Sequence, residues 1–213
     1  MAVMEIPSSR VRAHVLVLPG GKPVSTATAR WWHLSQLRMS LLTESLRLRL
    51  SGTGITVRQV QYTVRGWNGT VRSPVQDGLR ALDEIRRRRP DAPIGLVGHS
   101  MGGRAVAHLA AHPQVEAVVA LAPWWPDNEG ALIPPGRRLM VAHGTADTWT
   151  DPSVAEAQTE AARRRGVDAT WLPFPEAGHF LLTRPERWHA LTADFLSDAL
   201  TPPTHSPGGS REA

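Results

Sequence analysis

Gly95-Leu96-Val97-Gly98-His99-Ser100-Met101-Gly102-Gly103 joins a short apolar run to a segment of helical period, and it contains the pattern G-x-S-x-G. A serine on so tight a strand-to-helix turn is held in strained backbone geometry. The strand and helix approach so closely that glycine is required two residues before it and two after it, which Gly98 and Gly102 supply, with Gly103 as a third. The turn lifts the hydroxyl out at the carboxyl end of a sheet and aims a helix N-terminus at it, where developing negative charge is favoured. Ser100 is therefore a candidate nucleophile.

The same alternation runs outward along the whole chain. Strand candidates at 11–18, 55–61, 94–98, 116–122, 138–143 and 168–173 are separated by helix-period segments, the pattern of an α/β fold with a mainly parallel sheet. The first helix, over 31–49, carries Leu34, Leu37, Leu41 and Leu48 on one stripe, which we expect to face the core. The second, over 74–88, has Ser73 as N-cap, Pro74 in the first turn, Gln76 closing a capping box, and Val75, Leu79 and Leu82 on one face. The third, over 101–112, must stop before Pro113. The fourth starts at Asp151-Pro152 and ends at Gly166; the fifth, over 184–199, follows a Thr183/Glu186 box and places Trp188, Leu191 and Phe195 together. One domain over 1–200 is expected, with the Pro/Gly/Ser-rich stretch 201–213 as a disordered tail.

At the elbow the residues resemble the α/β-hydrolase superfamily, whose nucleophile turn often reads G-H-S-M-G. The resemblance extends to His143-Gly144-Thr145-Ala146-Asp147, similar to the family's H-G-x-x-D turn, and to Gly178-His179-Phe180, similar to its G-H-F. It implies a catalytic triad of Ser100, Asp147 and His179 in that chain order. Asp151 and Asp127 are the competing acids, although Asp151 is already explained as an N-cap. The oxyanion hole would use the N–H of Met101 and one from Leu18-Pro19-Gly20-Gly21-Lys22, similar to the family's L-x-H-G-x loop with proline in place of histidine. Gly21 is the aligned donor and Lys22 the reserve. The family topology implies a three-layer, minimal six-stranded sheet of order 2-1-3-4-5-6. Only residues 126–136 lie where larger members insert a cap, so no cap domain is expected.

Composition narrows the chemistry. No cysteine occurs, which excludes disulfides, thiolate metal sites and a cysteine nucleophile. Of the 24 basic residues all but Lys22 are arginine, and the net charge is a modest +5. The arginine clusters at 86–89, 137–138 and 163–165 lack interleaved aromatics and mostly end helices, so they are read as solvated surface and no nucleic-acid partner is expected. No run approaches a membrane span and no signal segment opens the chain, so a cytoplasmic protein without a membrane partner is expected. Gly21-Lys22 lacks the spacing of a phosphate loop, and His108 and His112 lack the glutamate of a zinc helix; neither a metal nor a cofactor is expected.

Eight tryptophans are the remaining anomaly. Trp31, Trp32, Trp67, Trp124, Trp125 and Trp149 all fall near strand ends on the side of Ser100. Trp124 and Trp149 are candidates for lining an apolar or aromatic substrate pocket. The expected reaction is hydrolysis of a small-molecule carboxylic ester. A thioesterase, an acyltransferase, a perhydrolase or a non-catalytic binding protein would use the same framework, and oligomeric state is not legible.

Overall fold

A computed structural model of the chain describes residues 11–201. Six strands, β1 (Ala13–Leu18), β2 (Ile55–Gln59), β3 (Ile94–His99), β4 (Val115–Leu121), β5 (Arg138–Gly144) and β6 (Asp168–Phe174), form one sheet of order β2-β1-β3-β4-β5-β6 in which every pairing is parallel. The central strands read as continuous apolar runs because both of their faces are covered. Leu16, Leu96, Val118 and Val141 enter one core and Val15, Val17, Val97 and Val119 the other, as the two-residue period of a strand requires.

The five helices are α1 (Leu34–Arg49), α2 (Ser73–Arg88), α3 (Met101–Leu109), α4 (Pro152–Arg164) and α5 (Pro185–Leu200). α1 and α5 supply side chains to one core, and α2, α3 and α4 to the other, which gives three layers. No helix among the described residues is long and apolar enough to cross a membrane. The expected tail, from residue 202 onward, lies outside the described residues.

Three local expectations are corrected. The leucine stripe of α1 faces outward: Leu34 and Leu41 are 77% and 69% exposed, Leu37 and Leu48 are also exposed, and the core receives Met39, Leu42 and Leu46 instead. A helix this rich in leucine carries two apolar stripes, and periodicity alone does not say which one the sheet covers. Neither Ser73 nor Thr183 caps its helix. α2 begins after Arg72 and α5 after Arg184, both in left-handed conformation and without a side-chain cap. Asn68 Nδ2 donates to the Ser73 hydroxyl, which joins the preceding turn instead of the helix end. Third, α3 ends at Leu109, earlier than Pro113 requires, and Leu79 of α2 remains partly exposed. Asp151 does cap α4, accepting from the Ser153 and Val154 amides.

Candidate active site

Ser100 sits between β3 and α3 with φ 55° and ψ −116°, a conformation that costs a non-glycine residue on the order of 1–3 kcal/mol. The surroundings hold it there: its amide donates to the Leu121 carbonyl, and its own carbonyl accepts from the Arg104 and Trp124 amides. A Cβ on Gly98 would lie 2.2 Å from the Gly102 carbonyl oxygen, and one on Gly102 would lie 2.0 Å from that of Leu18. The two glycines are thus demanded by backbone approaching backbone.

The loops after β5 and β6 bring the other two residues to this serine. His179 Nε2 lies 3.0 Å from Ser100 Oγ, and His179 Nδ1 lies 2.8 Å from Asp147 Oδ2. Because a carboxylate only accepts, the ring proton belongs on Nδ1, which leaves Nε2 to accept from the serine hydroxyl. Asp147 and His179 are both buried. Asp147 Oδ1 accepts from the amides of Trp149 and Thr150, and Oδ2 also accepts from Thr150 Oγ1 at 2.7 Å and His143 Nε2 at 2.9 Å. Burial alone would raise this carboxyl. The hydrogen bonds from His179, Thr150 and Trp149 outweigh it and draw the group down to about 2. Of the competing acids, Asp151 spends its carboxylate on α4, and Asp127 is paired with Arg104.

Several groups at the site escaped the sequence reading. His143, the histidine of the H-G-x-x-D turn, is fully buried on the Asp147 carboxylate, and burial lowers its pKa. His99, beside the nucleophile, donates from Nε2 to the His179 carbonyl oxygen at 2.9 Å, tying β3 to the histidine loop. Burial first, then the nearby His179, pushes His99 down to about 3, so it stays neutral. The motif letters were visible, but the partner of His99 lies on another loop, and the His143–Asp147 contact needs the folded turn after β5.

Around the expected oxyanion position, Met101 opens α3, and a Cβ built on Gly21 would meet the Met101 side chain and the Arg65 carbonyl. The reserve candidate is removed: the Lys22 amide donates to the Arg65 carbonyl oxygen at 2.9 Å. The tryptophans divide. Trp67 and Trp125 are buried, Trp124 is half-buried, and Trp31, Trp32 and Trp149 are exposed. Trp124 and Trp67 line a cleft of about 380 Å³ with Val24, Arg72, Arg104 and Asp127. Trp149 does not line it; its ring lies nearly parallel to the His179 imidazole, with centres 5.7 Å apart.

Beneath that cleft, Arg104 is buried against Glu129, Nε to Oε1 2.6 Å, and also pairs with Asp127. Its guanidinium lies 4.2 Å from the Trp67 ring centre and 4.7 Å from that of Trp124. One buried cation therefore fixes both aromatic walls.

The model of the serine aminopeptidase S33 family matches residues 51–141, a stretch that contains the Ser100 elbow and stops short of Asp147 and His179. The chain has the fold of the α/β-hydrolase superfamily. Among solved structures, the chain is similar to XC6422 from Xanthomonas campestris, described as an α/β serine hydrolase without lid (19% identity, TM-score 0.66, 90% of this chain and 85% of that one). It is also similar to the esterase Pf2001 of Pyrococcus furiosus (18%, TM-score 0.68, 90% and 84%). A third is Est1E of Butyrivibrio proteoclasticus with ferulic acid bound (12%, TM-score 0.67, 92% and 93%). At these identities the likeness concerns the fold. No curated protein sequence matches the chain.

Proposed function

We propose that this protein cleaves a carboxylic ester through a covalent acyl-enzyme, with Ser100 as nucleophile, His179 as general base and acid, and Asp147 as the group that orients His179. The observation that carries the reading is the unbroken hydrogen-bond chain from Ser100 Oγ through His179 to Asp147 Oδ2, at 3.0 and 2.8 Å. Ser100 Oγ attacks the carbonyl carbon as its proton passes to His179 Nε2. The charge on the former carbonyl oxygen is met by the amide of Gly21, in the loop after β1, and by that of Met101 at the start of α3, where the helix dipole adds to the effect. His179 then returns the proton to the departing alkoxide. In the second half of the cycle it takes a proton from water, whose oxygen attacks the acyl carbon, and then gives that proton to Ser100 Oγ as the C–Oγ bond breaks and the acid leaves. Asp147, held ionised far below neutral pH, stabilises the imidazolium in both halves.

The cleft walled by Trp67 and Trp124 supports an apolar or aromatic acyl or alcohol group. The test of the chemistry is fluorophosphonate labelling of the protein and of Ser100→Ala, with the adduct located by peptide mass spectrometry. Labelling confined to Ser100 is the expected result; a folded protein that stays unlabelled overturns the reading. An ester panel tests the substrate class. A preference for acetate over longer acyl chains that Trp124→Ala leaves unchanged would reject an aromatic-walled pocket.

A further inference from the structure

The outward leucines of α1 are a feature of the surface that the proposed chemistry does not use. At about 100° per residue, Leu34, Leu37, Leu41 and Leu48 form a narrow stripe nearly opposite Met39, Leu42 and Leu46, so α1 has a second apolar face with nothing packed on it among the described residues. Trp31 and Trp32 precede it, both exposed and edge to face at 5.6 Å. The patch reaches the site. Arg38, beside the stripe one turn after Leu34, has its guanidinium 4.3 Å from the centre of the Phe180 ring. Phe180 packs 5.2 Å from both Trp149 and His179, and Leu182 and Trp149 are 68% and 71% exposed.

The excess positive charge of the chain lies in the segment made of α1 and the loop before it. Residues 22–49 hold five basic residues (Lys22, Arg30, Arg38, Arg47 and Arg49) and one acidic residue (Glu44); all other residues together hold 19 basic and 18 acidic. Arg47 is paired with Glu44, and Arg30 lies over Trp32, 5.1 Å from its ring centre. Exposed tryptophans and leucines in a segment with a net charge of +4 match a bilayer surface of anionic headgroups over acyl chains. A second copy of this chain is the poorer fit, because a two-fold interface would set this cationic face against itself.

We propose that the outer face of α1, with Trp31 and Trp32 at its start and Trp149 and Leu182 at the site, docks on an anionic lipid bilayer. The expectation of no membrane partner rests on the lack of a spanning segment, which does not bear on a helix lying along the surface. Docking would set the site beside lipid-borne esters; only this use of the surface rests on the hydrolase reading, the binding itself does not.

The experiment is co-sedimentation of the protein and of Ser100→Ala with two vesicle types, phosphatidylcholine alone and equal parts phosphatidylcholine and phosphatidylglycerol. Both proteins should bind the anionic vesicles, with a blue shift of tryptophan emission, and bind the neutral ones weakly; added salt should weaken the anionic binding. Leu34→Ser/Leu41→Ser should lower binding by about tenfold per leucine, while circular dichroism and hydrolysis of a soluble short-chain ester stay unchanged. Trp31→Ser/Trp32→Ser provides an independent check should the leucine variant fail to fold. Absence of vesicle binding, binding that neither double substitution weakens, or a dimer that the same substitutions dissolve would overturn the proposal. Vesicle binding by a protein inactive on every ester would reject the hydrolase reading and leave the docking surface standing.

Discussion

Replacing Asp147 by asparagine tests how the site is held together, because every group that touches this carboxylate is a donor. Oδ1 receives two backbone amides, and Oδ2 receives His143 Nε2, the Thr150 hydroxyl and His179 Nδ1. Asparagine has one accepting oxygen. If that oxygen stays with the two amides, the new NH₂ faces three donors. The Thr150 hydroxyl can rotate away, but His179 must move its proton to Nε2, where it no longer accepts from Ser100. If the amide flips, His179 keeps its tautomer but two partly buried backbone N–H groups face the new NH₂ and lose their acceptor, at up to about 1–3 kcal/mol each. The first arrangement costs the enzyme less stability and nearly all of its base, so kcat/KM should fall by about 10⁴-fold in Asp147→Asn with the fold retained. The assay is hydrolysis of p-nitrophenyl butyrate alongside circular dichroism and urea denaturation. A folded Asp147→Asn within about tenfold of the parent would refute the assignment of the acid and the tautomer argument with it.

His99 makes stability depend on pH. Its folded pKa, about 3, lies below the unfolded value of 6.5, so its contribution is complete above pH 6.5 and is lost as pH falls from there towards 3. In that window His99→Gln, which can still donate to the His179 carbonyl, should flatten the slope of unfolding free energy against pH by up to about 1.4 kcal/mol per pH unit. For the inverted stripe of α1, urea denaturation should show Leu42→Ala costing about 2–5 kcal/mol and Leu41→Ala within about 0.5. Glu129→Ala leaves the buried Arg104 guanidinium without its main partner and should destabilise by about 3–5 kcal/mol. The Trp67 and Trp124 environment should change with it, visible as a shift in tryptophan emission; unchanged stability and emission would show that the pair holds nothing in place.

Strand positions were legible in the sequence because a strand covered on both faces is a short apolar run, and all six appear within a few residues of their expected bounds. The candidate triad was legible for a different reason. Each member closes a short motif just after a strand, and strands of a parallel sheet all end on the same side. Helix caps were less so: Ser73 has the right neighbours in sequence, yet the chain enters α2 through a left-handed Arg72, and Asn68 binds the Ser73 hydroxyl. The alignment favours Gly21 as oxyanion donor with Lys22 in reserve, and only the fold shows the Lys22 amide donating to the Arg65 carbonyl.

What the sequence by itself determined is the order of elements, the glycines of the elbow, and a serine, an acid and a histidine placed on successive turns, all of which depend on local periodicity and local backbone freedom. Only the tertiary structure decided which leucine stripe of α1 is buried, that His143 and Thr150 share the Asp147 carboxylate, and that Arg104 and Glu129 support two tryptophans from different loops. The contacts of Arg104 join segments far apart in the chain, and the cluster on Asp147, though local in sequence, exists only once the loop after β5 has folded back on itself. They depend on which surfaces meet when the sheet closes over its helices, and a pattern read along one strand or one helix carries no record of what lies across from it.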